Sequence, residues 1–326
     1  MNDDYLHVST GELPVAAQVQ ALVEEAYREC LPVTDGANST VYPALERADP
    51  TRFGVCVVGV SGNVFEAGDT NAAFTIMSVV KPFVFAMVCE DIGPEEAHRL
   101  IGVNATGLPF NSLAAIEQGP GGRTNPMVNS GAIATTSLVS GTTGADKWVT
   151  VLSGLSLFAG RELTLDDEVF ASASATNHRN QEIALLLESL GALHWGARDT
   201  VDLYTRQCSL SVTAKDLAVM GATLANGGVN PVTGAHVVSS ATCRDVLAVM
   251  AIAGLYETSG DWLYEVGLPG KSGIGGGVVT VSPGKGGLAT YSTPLDAAGN
   301  SVRGQLVARA LSRQLGLDLF VSAEPA

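Results

Sequence analysis

Segments that read as strands lie only toward the two ends of this chain, while the stretch from Lys81 to about residue 255 reads as helix after helix. Toward the start, a short apolar run from Phe53 to Val60 meets Ser61-Gly62-Asn63 and then a second short run, the pattern of a β-hairpin. Toward the finish, Gly275-Gly276-Gly277 precedes the Val278 to Val281 run, and 287–292 is β-like again. Strands need partners for their backbone N–H and C=O groups, and an isolated hairpin is marginal in water. The two ends are therefore expected to meet in one sheet, with the helical stretch inserted between them. Helical periodicity covers 14–31, 83–91, 94–101, 129–139, 145–158, 180–190, 199–207, 213–226 and 240–253, and a last amphipathic helix covers about 301–315. No repeat or low-complexity linker divides the chain. It reads as one unit, 1–326, with a sheet lobe of about 1–73 and 271–326 and a helical lobe of about 74–270.

With 326 residues, 46% hydrophobic and 16% charged, the chain can bury a large core. A net charge of -15 argues against nucleic-acid or anionic-membrane partners, because no basic stripe exists to neutralise phosphates. The opening MNDDYLHVSTGELP is acidic where a signal peptide would be basic. The longest apolar run, near 74–89, is broken by Lys81 and Pro82 and falls short of the roughly 20 residues of a membrane span. Cys30, Cys56, Cys89, Cys208 and Cys243 form no CxxC or Cys/His cluster, which suits reduced thiols in a cytoplasmic protein. The five histidines have no metal-ligand spacing, so no metal is expected.

The chemistry is expected at FTIMSVVKPF (74–83). Ser78 and Lys81 stand one helical turn apart, so both share a face. A serine hydroxyl is a weak nucleophile at neutral pH, and a neutral lysine beside it can take its proton. Lys81 sits in an apolar run, where burial lowers an amine's pKa toward the range of a general base. Pro82 is tolerated only in the first turn of a helix, so the helix is expected to start close to Ser78. Its N-terminal N–H groups are then available to a developing oxyanion. Taken alone, S-x-x-K is a weak motif, and an N-capping serine followed by a surface lysine is the plainer reading. Lys271-Ser272-Gly273 strengthens it, as a variant of the K-T-G that accompanies S-x-x-K in serine penicillin-recognising enzymes.

Longer motifs carry a more specific resemblance. NPMVNSGAI (125–133), RNQEIA (179–184), YTRQCSLSVTAKDLAVMGATLANGGVNPVTG (204–234), GLYETSGDWLYEVGLPGKSGIGGG (254–277) and LDAAGNSVRG (295–304) closely resemble the serine-dependent glutaminases, collinearly from about Gly36 to Phe320. The resemblance implies an α+β fold of the β-lactamase and penicillin-binding-protein type, an antiparallel sheet flanked by helices plus a helical lobe. It implies hydrolysis of L-glutamine to L-glutamate and ammonia by a homodimer or homotetramer, with no cofactor. By the same resemblance Ser78 is the nucleophile and Lys81 the base. The backbone N–H groups of Ser78 and Ile274 form the oxyanion hole, Tyr204 and Tyr256 are the active-site tyrosines, and Tyr42, Asn129 and Asn180 contact substrate. Taken singly, each asparagine also reads as a helix cap and each tyrosine as a core residue.

The chain departs from the family pattern selectively. Ala173 stands where these enzymes normally carry a glutamate that holds the substrate's α-ammonium, and Met77 replaces a glutamine. Val80 and Ser130 replace a serine and an alanine. Losing a charge-assisted hydrogen bond to a buried ammonium costs roughly 1.5 to 3 kcal/mol. Three readings follow: a glutaminase in which Glu168 or Glu182 takes over the ammonium, an amidase with altered head-group specificity, or a non-catalytic binding paralogue.

Overall fold

The computed structural model describes residues 11–322, so most of the acidic opening stretch and both extremities of the 1–326 unit lie outside the described residues. The strands are β1 (Gly54–Gly59), β2 (Val64–Gly68), β3 (Phe74–Thr75), β4 (Thr164–Leu165), β5 (Leu210–Val212), β6 (Gly270–Ser272), β7 (Gly277–Ser282) and β8 (Gly286–Tyr291). Five of them form an antiparallel sheet in the order β2-β1-β8-β7-β6. The register pairs Gly54 with Tyr291 and Gly59 with Gly286, so the ends of the chain do meet in one sheet.

Strand β1 is buried along its whole length, and its residues alternate between two cores. Val55 and Val57 join a cluster with Val19, Val23, Val307 and Leu311 from the helices Ala16–Cys30 and Val302–Gln314. Cys56 and Val58 face the other way, into the larger core shared with the helical lobe. This is the period-2 alternation of a strand with both faces covered. Against that second face lies the helix Ala214–Ala225. A Cβ at Gly287 would stand 2.4 Å from Ala218 O, so only glycine lets the helix backbone approach β8 this closely. The helix starts with a capping box between Thr213 and Asp216, and Arg161 grips the Asp216 carboxylate through both oxygens at 2.7 and 2.6 Å.

Three features depart from the sequence reading. A second sheet, β3-β5-β4, lies inside the helical stretch, where no strand was expected. Strands of two or three residues carry no readable alternation. A helix at Asp167–Thr176 was also unread. The helix expected to start close to Ser78 with Pro82 in its first turn runs from Lys81, entered through a 3-10 turn over Met77–Val80 that was not anticipated. Residues 77–80 are tighter than α-helix because β3 hands the chain directly into the turn, where Ile76 N–H donates to Leu210 O at 2.9 Å.

Candidate active site

Met77 has φ +46, in the left-handed region that side-chain-bearing residues rarely adopt. It turns the chain sharply out of β3 and sets Ser78 at the mouth of a cavity of ≈ 100 Å³. The loop Gly273–Gly275 lies against the same backbone. A Cβ on Gly273 would stand 3.2 Å from Ser78 N, and one on Gly275 would stand 2.3 Å from Thr75 O. The glycines of this stretch thus let the loop that carries Ile274, a cavity-lining residue, pass closely along the backbone of Thr75 to Ser78. Two distant parts of the chain meet at Ser78, and an oxyanion hole is built from backbone N–H groups brought together in this way.

Lys81 is 1% exposed, and its Nζ donates to Asn129 Oδ1 at 2.8 Å and Met127 O at 3.2 Å. Both partners are neutral, so no carboxylate offsets the loss of hydration by the charged form. Burial pulls its pKa down to about 7, with Cys208 pushing weakly the other way. The network continues outward. Tyr204 Oη donates to Asn129 Oδ1 at 3.3 Å, and Asn129 Nδ2 donates to Asn180 Oδ1 at 2.9 Å. Helices Asn129–Ser137, His178–Ser189 and Ala197–Cys208 deliver these three side chains to one point. Burial raises the Tyr204 hydroxyl well above its usual range and the Tyr42 hydroxyl to about 12, with Asn180 opposing the latter.

Tyr256 also has positive φ, at +57. Its ring is held between Phe110, at 4.7 Å between centroids, and Lys271, whose Nζ lies 4.3 Å from the ring centre. Lys271 is fully buried and donates to Gly254 O at 2.8 Å and Ser272 O at 2.6 Å. Burial, then the neighbouring Lys81, drives its pKa well down. Anchored on these two carbonyls, its Nζ packs on the Tyr256 ring and braces it. The Tyr256 hydroxyl donates to Ser272 O at 3.4 Å. Burial raises it to about 12, while hydrogen bonding with Ser78 and Ser272 opposes the rise.

Tyr42, Ser78, Asn129, Asn180, Tyr204 and Ile274 all line the one cavity. Lys81 lies beneath it on Asn129, and Tyr256 is joined to it through Ser78 and Phe110. Sequence reasoning missed Cys208, although it follows Tyr204 by one helical turn and therefore shares its face. Its thiol lines the cavity, with a pKa raised to about 11 by burial. At neutral pH that thiol stays protonated and weakly nucleophilic. Between the two candidate nucleophiles, Ser78 has the neutralised amine close in sequence and Cys208 has no ionised form to use. Also unread was Arg179, which lines the cavity and pairs with Glu182 at 2.9 Å. Among the described residues, no aspartate or glutamate lines the cavity. Neither Glu182 nor Glu168 takes up the position suggested for it: Glu182 is held by Arg179, and Glu168 by Arg47 on the surface.

A glutaminase family model matches residues 36–320. Glutaminase 2 of Yersinia pestis is 60% identical over 316 residues, 97% of this chain and 93% of that protein. A glutaminase of Brucella canis is 46% identical over 304 residues, 93% of this chain and 96% of that protein. Among solved structures, the probable glutaminase ybaS superposes with a TM-score of 0.93 at 42% identity, covering 95% of this chain and 100% of that one. A probable glutaminase from Bacillus subtilis, complexed with 6-diazo-5-oxo-L-norleucine, superposes with a TM-score of 0.82 at 27% identity, covering 94% and 97% of the two chains.

Proposed function

The chain belongs to the glutaminase family and has its β-lactamase-like fold, and from that premise we propose how this cavity turns L-glutamine into L-glutamate and ammonia. The observation that carries the mechanism is Lys81, buried on neutral acceptors with a pKa of about 7, three residues from a cavity-lining serine. As the neutral amine it takes the proton from Ser78 Oγ. The oxygen attacks the γ-carboxamide carbon, and the backbone N–H groups of Ser78 and Ile274 receive the oxyanion. Each such donor is worth about 2.7 to 4 kcal/mol to the transition state. The C–N bond then breaks, and the proton held by Lys81 leaves on ammonia. Water adds to the γ-glutamyl ester, and glutamate departs as Ser78 regains its hydroxyl.

Tyr204 and Tyr256 are both too weakly acidic to act as phenolate bases at neutral pH, so they act through O–H, donating to and relaying protons around Ser78 and Lys81. Tyr42, Asn129 and Asn180 hold the substrate. The chemistry requires neither metal nor cofactor. The chain works as one unit with a sheet lobe and a helical lobe, as a homodimer or homotetramer in the cytoplasm, without nucleic acid or membrane. Five free, buried thiols support a reducing compartment, and exposed Tyr264 and Phe320 offer apolar surface for assembly. Among the described residues no helix is long and apolar enough to cross a membrane.

Ammonia release by the purified protein, together with mass spectrometry after 6-diazo-5-oxo-L-norleucine treatment, tests the mechanism. An adduct on Ser78 that disappears in Ser78→Ala is expected. Turnover that survives Ser78→Ala removes Ser78 from the chemistry.

A further inference from the structure

The cavity around Ser78 offers no anionic partner to an ammonium ion. Among the described residues its lining holds no carboxylate, and its one charged side chain is the cationic Arg179. Two of its neutral oxygens already accept hydrogen bonds from the protein itself. Asn180 Oδ1 accepts from Asn129, and Asn129 Oδ1 accepts from both Lys81 and Tyr204. The lining also carries the apolar side chains Met77, Ala173 and Ile274. Met77 packs with Leu45 and Val169, and Ile274 rests on that cluster. Ala173 lies one turn beyond Val169 on the same helix, so its methyl group faces the same way. A free α-amino acid entering here would shed the water around its ammonium and find no charged partner. That loss weakens binding by about tenfold to a few hundredfold.

We propose that this enzyme prefers γ-carboxamides whose α-nitrogen carries no charge, the α-N-acylated glutamines, and that Ala173 is the residue that sets the preference. The proposal rests on the Ser78 hydrolase reading and specifies its substrate. The acyl amide replaces the ammonium with a neutral N–H, and the acyl chain lies along Ala173, Met77 and Ile274. The chemistry is unchanged. Ser78 Oγ bonds to the side-chain carbonyl carbon, the C–N bond breaks and ammonia leaves. Water then cleaves the ester to release the α-N-acylglutamate and restore the serine, leaving the α-amide intact. Free glutamine remains a substrate of lower kcat/KM.

The test is kcat/KM for ammonia release by the wild-type protein from α-N-acetyl-L-glutamine, from glutaramate, which lacks the α-nitrogen, and from L-glutamine. The acetylated compound is expected to exceed glutamine by about tenfold or more, with glutaramate at or above glutamine. Glutamine equal to or better than α-N-acetylglutamine overturns the proposal, including the case in which a partner subunit supplies a carboxylate. No ammonia from any of the three, with no ester on Ser78, sinks the hydrolase reading itself and is distinguishable from a wrong preference. Ala173→Glu is expected to raise kcat/KM for glutamine and lower it for the acetylated compound, inverting their ratio. An unchanged ratio in a folded Ala173→Glu protein removes Ala173 as the determinant. If that variant does not fold, the wild-type panel still decides the preference.

Discussion

At the cavity Lys81, Asn129, Asn180 and Tyr204 form an unbroken chain of hydrogen bonds, whereas Met77 and Ile274 line it as an apolar wall backed by Leu45 and Val169. The difference divides two tasks. A buried network fixes directions and proton positions, which bond-breaking requires. An apolar wall fixes only volume, which suits the part of a substrate that is not being broken. Substitutions on the first side should therefore act on kcat, and substitutions on the second on KM or stability.

The sharpest way to break this division is Ser78→Ala, expected to lower kcat by on the order of 10⁴-fold or more while the protein stays folded, measured as ammonia release. Lys81→Met is expected to cost about 10²- to 10⁴-fold in kcat, the usual share of a general base. It should also remove a feature of the pH profile. The active form of Lys81 is the neutral one, so wild-type kcat/KM should fall as pH drops below about 7, and the variant should lack that limb. Stability offers an independent check. The unfolded lysine titrates near 10.5 and the folded one near 7, so between those values the unfolded chain binds more protons. Wild-type stability relative to Lys81→Met should therefore rise with pH across that window, as followed by denaturant melts. Asn129→Ala, which takes the shared acceptor from Lys81 and Tyr204, is expected to reduce kcat by about tenfold to a hundredfold through loss of buried hydrogen bonds. Leu45→Ala is the smallest in activity. It should lower stability by about 2 kcal/mol yet leave kcat nearly untouched, and a large fall in kcat would show that the apolar wall shares in the chemistry.

The sheet was readable because β1, β7 and β8 are six residues long and flanked by glycine turns. The β3-β5-β4 sheet was not, since Phe74–Thr75 pairs with Leu210–Val212 by tertiary necessity and not by any local pattern. For the same reason the sequence predicts a helix start close to Ser78 but not the 3-10 turn that leads into it. The geometry there is imposed by Ile76 bonding to Leu210 and by the Met77 backbone, neither of which has a signature in side-chain order. Of the site, the Ser78 and Lys81 pair was legible from spacing and burial alone. The asparagines and tyrosines required the resemblance, because a capping asparagine and a substrate-holding one look alike in sequence. Cys208 was within reach of helical spacing from Tyr204. What no spacing rule reveals is the charge balance of a cavity assembled from six or more separate segments.

The pairing of Gly54 with Tyr291 fixes the order in which this enzyme can come to life. A ribosome delivers β1 and Ser78 early, but the central neighbour of β1 and the Ile274 amide arrive only after the whole helical lobe has been made. Until then the hairpin keeps an open edge, and such long-range closure is slow and exposed to aggregation. On the proposed mechanism, the nascent chain carries Ser78 without the Ile274 half of the oxyanion hole. On that mechanism it is expected to stay chemically silent through synthesis and to release ammonia only once the last strands have locked into place.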